Sequence, residues 1–304
     1  MLNLSALLYV LLGLISAPLM LGVINRTKAI CGGRTGQPLL QVYYDVVKLL
    51  RKDVVYSRTT TWIFRVGPMM ALGGLITALL ILPCGGAPAA FKFSGDFVLL
   101  FALIGIGRFF TILAALDTGS SFEGMGASRD ALYSGLTEPV LFAVLITLAR
   151  ITGELSLSSV FANISPLLWS SSAAVLILVA VIIFVLLLTE NSRIPVDDPN
   201  THLELTMIHE VMVLDHSGPD FGFILFGSAL KMWIFSALLI GAIMPVHTGN
   251  ALIDGALFLG GMLLTAVTVG LVESTMARLR LLLVPRMLVG ATAIAAVCIF
   301  LTLK

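Results

Sequence analysis

Apolar residues in this chain of 304 residues do not alternate with polar ones, nor do they mark one face of short amphipathic segments; they run together. Eight stretches approach or exceed the roughly 20 apolar residues that a helix needs to cross a bilayer core: Leu2–Asn25, Trp62–Pro83, Gly95–Leu116, Pro139–Leu155, Leu167–Leu188, Gly222–Val246, Ala251–Val272 and Val284–Leu303. This pattern predicts an all-α integral membrane protein with about eight transmembrane helices, forming one membrane domain over residues 1–304. The first stretch reads as a retained anchor, because no Lys or Arg precedes it and the first basic residues, Arg26 and Lys28, follow it.

Three polar segments interrupt the pattern. In GRTGQPLLQVYYDVVKLLRKD, Val42, Val46, Leu49 and Leu50 recur at helical spacing while Asp45, Lys48, Arg51 and Lys52 fill the other face. An amphipathic helix at about 38–52 is expected there, lying in the membrane interface or beneath a partner. Residues Asp117 to Pro139 are rich in Gly and Ser, carry Asp117, Glu123, Arg129, Asp130 and Glu138, and read as a folded loop. The segment lacks a Walker lysine and a GxGxxG, so it offers no phosphate cradle. The third segment, about 190–220, holds Pro195 and Pro199, which break a helix; Thr201 could then cap a short helix from His202 to Leu214, stopped by Gly218 and Pro219.

Composition agrees with the spans. Hydrophobic residues make up 58% of the chain and charged ones 12%, whereas about a quarter of the residues of a soluble domain are charged. A net charge of +1 without a basic stripe gives no nucleic-acid footprint. Cys31, Cys84 and Cys298 are isolated, so no disulfide framework, CxxC metal site or iron–sulfur set can be built from them. Metal ligation by His202, His209 and His216, spaced by seven, lacks an HExxH and a closed ligand set. No catalytic constellation is evident, and the chain is expected to carry no catalytic, metal or cofactor-binding residue of its own.

Sidedness follows from the basic residues. Of the 18 Lys and Arg residues, twelve fall in connections after odd-numbered spans, only Lys92 and Lys304 on the opposite side, and Arg65, Arg108, Arg150 and Lys231 within spans. Because cytoplasmic loops are enriched in Lys and Arg, both termini are expected on the non-cytoplasmic side of the cytoplasmic (inner) membrane. The acidic residues Glu190, Asp197, Asp198, Glu204, Glu210, Asp215 and Asp220 crowd the third segment. Carboxylates packed together raise one another's pKa and can exchange protons near neutrality, which would feed a proton path; a partner-docking surface is the alternative. Intramembrane cations should face a bundle interior or a polar cavity, and Arg108 and Lys231 are the best candidates for such an axis, whereas Arg65 and Arg150 could snorkel.

Four motifs, in order, are similar to the subunit 1 family shared by respiratory complex I and the membrane-bound group 4 NiFe hydrogenases. They are GRTGQP with QVYYDVVKLLRK, RFFTILAALDTGSSFEGMGASRDA with Glu138-Pro139, ENSRIPVDDPNTHLELTMIHEVMVLDHSG, and ESTMARLR. Within that family the chain most resembles the hydrogenase-4 component C and formate hydrogenlyase subunit 4 branch. The resemblance implies a membrane anchor and ion-coupling subunit that links redox turnover in a peripheral arm to proton or sodium movement. It also implies hydrogenase-like large and small subunits, a ferredoxin-like Fe–S subunit and antiporter-like membrane subunits as partners, with the NiFe and Fe–S centres in those partners. Asp117, Glu138, Glu190, Asp197, Asp198, Glu204, Glu210 and Asp215, with Arg108 and Lys231, are the ion-coupling candidates. Arg34, Asp45, Arg129, Arg193, Glu273 and Arg278 are the partner-docking candidates. GRTGQP departs from the quinone-reducing branch, which carries Pro-Asn after its second glycine, and this counts against a quinone site. A quinone-binding subunit and a purely structural anchor are the competing readings.

Overall fold

The computed structural model describes residues 4–198, 207–244 and 248–303. Its described helices, in chain order, are α1 (Leu4–Cys31), α2 (Gln41–Leu50), α3 (Trp62–Ile81), α4 (Asp96–Asp117), α5 (Ser121–Thr152), α6 (Leu157–Asn163), α7 (Pro166–Glu190), α8 (His209–Met212), α9 (Gly218–Ile243), α10 (Ala251–Thr275) and α11 (Leu283–Leu301). No strand occurs among the described residues. All but α2, α6 and α8 are long and apolar enough to cross a membrane, matching the eight predicted spans.

Helix α9 forms the centre and packs against α1, α2, α3, α7 and α10. Leu230, Met232, Trp233, Ile234, Phe235, Ala237 and Leu238 are all buried, so this helix is enclosed around its circumference and mainly apolar, with Lys231 and Ser236 as the polar exceptions in this run. Helices α4, α5 and α11 complete the far side through α3 and α7. The connections α1–α3, α4–α5, α7–α9 and α10–α11 gather at one end, here called the charged end.

The Gly- and Ser-rich stretch is not a loop. Gly119 turns the chain at φ +71°, Ser120 takes the extended conformation of a cap, and α5 then runs unbroken for 32 residues, from Ser121 and through Pro139. At Gly126 the helix needs a missing side chain rather than a turn. A Cβ there would lie 2.4 Å from Val211 Cγ1, 2.8 Å from the Ile208 carbonyl oxygen and 2.9 Å from Met212 Cγ, so tertiary packing outweighs the low helix propensity of glycine.

Two more expectations change around the third segment. Thr201 and His202 lie outside the described residues, and of the expected helix up to Leu214 only the single turn α8 is helical among the described residues. Gly218 and Pro219 begin α9 instead of ending a helix; proline at the first turn loses no intrahelical hydrogen bond. The amphipathic helix lies within its predicted bounds as α2, with Val42 buried and Val46 partly buried, but its predicted inner residue Leu50 faces outward with Tyr44 and Val47. Its approach is close: the Leu39 backbone lies on Gly22 of α1, and the Tyr43 hydroxyl donates to the Ile15 carbonyl.

Candidate ion-coupling centre

Helix α7 ends on Glu190, 6% exposed, where the apolar span gives way to the acid-rich connection. Arg108 from α4 and Lys231 from α9 both pair with its Oε2, Lys231 at 2.9 Å. Its Oε1 accepts from the Thr137 hydroxyl of α5 at 2.8 Å, and Arg108 also faces Asp130 of α5 at 3.7 Å. Four helices thus bring together two cations and two carboxylates. A buried charge is tolerable only when paired and hydrogen-bonded, and this arrangement satisfies that requirement through groups up to 123 residues apart in sequence. Thr137 and Asp130, which sequence reasoning did not select, complete it.

A cavity of about 90 Å³ opens beside this cluster, lined by Arg108, Asp130, Glu190, Lys231, His209 and Ser228 among others, and has room for a few water molecules. A second, of about 200 Å³, is walled by Asn25, Gln37, Asp45, Asp197 and Glu210 and shares Asn191, Ser192, His209 and Ser228 with the first. The shared polar residues therefore link the charged end to the cavity at Lys231, whose other walls are apolar side chains such as Leu72, Ile104 and Phe223.

Asp197 of the expected acidic cluster is bound by groups other than carboxylates among the described residues. Asp197, 2% exposed, pairs with Arg278 at 2.8 Å and accepts from the N–H groups of Asp198, Ile208 and His209 at 2.9, 3.0 and 3.3 Å. Its carboxylate thereby ties the residues on both sides of 199–206 to one point. Glu273 bridges Lys28 of α1 at 2.8 Å and Arg193 at 3.3 Å. The connection from α10 to α11 crosses this region as a strap, with Leu279 N–H donating to the Pro195 carbonyl at 2.9 Å and Leu281 accepting from Tyr133 at 3.3 Å. Two members of the acidic segment, Glu190 and Asp197, are thus paired separately with basic side chains, as is Glu273 on α10.

Other predicted residues take up different positions. Asp117 accepts from Thr61 N–H, the Thr61 hydroxyl and Phe64 N–H at 2.6, 2.8 and 3.3 Å, anchoring the first turn of α3. Glu138 is half-buried on α5 beside Gly105, within electrostatic reach of Arg108. Glu210 lines the second cavity, Asp215 is exposed, Asp198 meets Asp197 through its N–H, and Glu204 lies outside the described residues.

Of the docking candidates, Arg34 is exposed, while Asp45 accepts from Gln41 at 2.9 Å and faces the second cavity. Arg129 donates to the Met207 carbonyl at 3.0 Å, and Arg193, Glu273 and Arg278 sit in the internal pairs above, so these four hold the chain together rather than presenting an open surface. Arg150 is exposed at the opposite end and donates to the Thr302 carbonyl at 3.4 Å, away from any interior axis.

His216, in the connection before α9, stacks on Phe64 with ring centres 3.9 Å apart and planes 6° apart. Burial pushes its pKa down to about 4, so it is a neutral packing ring near pH 7. Among the described residues no group of three or more His, Cys, Asp and Glu is placed to hold a metal ion.

Eight spans around a buried Arg–Glu–Lys cluster define a multi-pass helical membrane protein with an internal polar centre. The sequence profile of the NADH dehydrogenase family matches residues 4–303, and the chain belongs to that family. It is 29% identical to formate hydrogenlyase subunit 4 of Escherichia coli (strain K12), over 89% of each chain. It is 28% identical to hydrogenase-4 component C of the same organism, over 89% of this chain and 86% of that one. An NADH-quinone oxidoreductase subunit of Cupriavidus metallidurans is 25% identical over 66% of this chain and 58% of its own. The fold is shared with a chain in the structure of the membrane-bound sulfane sulfur reductase, an archaeal respiratory membrane complex: the TM-score is 0.81, with 21% identity and 98% of both chains covered.

Proposed function

We propose that this chain is the membrane anchor and ion-coupling subunit of a group 4 NiFe-hydrogenase-type, complex I-related assembly. The names of its relatives support the assembly, and one observation carries the coupling role: Glu190 is held between Arg108 and Lys231 beside a cavity that these charged groups share with apolar side chains. The charged end faces the cytoplasm and the hydrogenase-like and ferredoxin-like subunits, while antiporter-like subunits flank the bundle within the inner membrane.

Glu190 is the last residue of α7, so a displacement of the following connection by a redox partner moves its carboxylate relative to Lys231. Withdrawal of that carboxylate leaves the ammonium beside Arg108 without its counter-charge, and a proton then passes from Nζ into the cavity. Return of the carboxylate favours reprotonation. The permanently charged Arg108 supplies the fixed background for this exchange.

The test uses the Glu190→Gln and Glu190→Gln/Lys231→Met variants in the purified, vesicle-reconstituted complex. The single change leaves two buried cations against Asp130 and should destabilise the subunit by about 3–5 kcal/mol. The double change removes one cation as well and should restore assembly and hydrogen turnover while ion movement per turnover is lost. Full coupling in the double variant would remove the centre from the mechanism. Recovery of the complex without nickel or hydrogen turnover would remove the hydrogenase assignment.

A further inference from the structure

Buried carboxylates at the charged end fall into two groups. Glu190, Asp197 and Glu273 pair with basic side chains, and Asp220 accepts from the Tyr56 hydroxyl at 2.9 Å with Arg65 close by. Glu123, in the first turn of α5 and only 1% exposed, has no basic partner among the described residues. Its Oε1 accepts from the Asp215 N–H at 3.3 Å, and its Oε2 has no hydrogen-bond partner among the described residues. The nearby Thr118 hydroxyl already donates to the Ala115 carbonyl at 2.8 Å.

The position of Glu123 gives this difference meaning. Ala115 of α4, Ala127 of α5, and Met212 and Val213 of the connection form a small apolar core, with Phe221 of α9 packed on it. Glu123 adds a polar contact between that connection and α5, and Gly126, one turn on, provides the depression into which Val211 and Met212 fit. An ionised carboxylate in this place would be buried without a counter-charge and next to the Asp215 carboxylate; a protonated one is compatible with it.

We propose that Glu123 is a positioning residue that takes up and releases a proton, seating the 207–217 connection on α5 when protonated and loosening it when ionised. This rests on the coupling role assigned above, since the same connection begins at Glu190. The titratable and charged groups on the elements around it are Asp117 on α4, Asp215, His216, His209 and Glu210 on the connection, Asp220 on α9, and Arg129 and Asp130 further along α5. His216 acts with the opposite sign: its protonation loosens the connection as pH falls, whereas ionisation of Glu123 loosens it as pH rises.

The test is thiol labelling of Val213→Cys, at a buried position in the connection, within the intact complex in resting membranes. The exposed native Cys31 provides the internal reference. With Glu123 present, labelling of the introduced thiol relative to Cys31 should rise several-fold as pH is raised through the titration of Glu123. Glu123→Gln, which mimics the protonated form, should hold the ratio low and flat. The same variant in reconstituted vesicles should keep hydrogen turnover and move fewer ions per turnover. An identical pH profile in both proteins overturns the proposal, as does a ratio raised equally at every pH in the Gln variant, the result of a packing role alone. Glu123→Asp, which keeps the acid, should restore the pH dependence if the Gln variant assembles poorly. Because labelling needs no redox substrate, its outcome is independent of whether Glu190 is the coupling carboxylate.

Discussion

His216 shows how one side chain can set a pH limit on the charged end. Its folded pKa of about 4 lies below the ordinary value of 6.5. Between these values the unfolded connection binds more protons than the folded one, so stability increases with pH there. The contribution is fully present above about pH 6.5 and is lost as pH falls towards 4, amounting to about 3 kcal/mol at most. His216→Phe, which keeps the stacked ring on Phe64 but cannot be protonated, should abolish that acid sensitivity. Protease susceptibility of the connection between pH 4 and 7 measures it. At this scale the sequence was partly legible. Arg108 and Lys231 announced themselves as charges inside apolar runs, since the membrane makes such residues conspicuous, whereas Glu123 and Thr137 had no local signal because what distinguishes them is who their distant neighbours are.

The elements were legible where length and apolarity alone decide them. All eight spans follow from that rule, and the short amphipathic helix follows from its 3.6-residue period. The start of α5 was hidden because Gly124, Gly126 and Ser128 look like loop chemistry, and only the arrival of Val211 and Met212 explains Gly126, while Gly124 borders open space. A similar close approach fixes α2. A Cβ on Gly22 would lie 2.1 Å from the Leu39 carbonyl oxygen, a backbone atom that cannot swing aside. Gly22→Ala should therefore push the start of α2 off α1, costing about 1–3 kcal/mol. Faster thiol labelling of Val42→Cys, a buried position on its inner face, would report the separation, and an unchanged rate would show that the helix is held chiefly by α9.

For the molecule as a whole, the asymmetry of basic residues carries a directional prediction. Reporters fused to either end should be active on the non-cytoplasmic side, while one inserted in the Asp53–Thr59 connection should be active in the cytoplasm. The opposite result at both ends would invert the placement of the charged end. The folding of that end was not legible in the sequence, because charge density alone could not distinguish a cluster of mutually repelling acids from a set of individually matched pairs. For Glu190 and Asp197 the structure shows pairing, with Arg108 and Lys231 and with Arg278, and Glu273 pairs likewise with Lys28, 245 residues away in sequence, and Arg193.

The Arg108–Glu190–Lys231 cluster also constrains how the chain is made. Synthesis releases Arg108 first, its carboxylate 82 residues later, and Lys231 after a further 41. Helix α4 therefore enters the bilayer with an uncompensated guanidinium, at about 2.5–3.5 kcal/mol for a central charge, which its apolar remainder must outweigh. Asp130 of α5 brings a first, more distant counter-charge; close pairing becomes possible only when the end of α7 arrives, and the second cation must follow before the carboxylate has its full set of partners. Biogenesis of this subunit is thus a rendezvous of four helices rather than a sequence of independent insertions, and a chain truncated after α7 should leave its early spans accessible to membrane quality-control proteases.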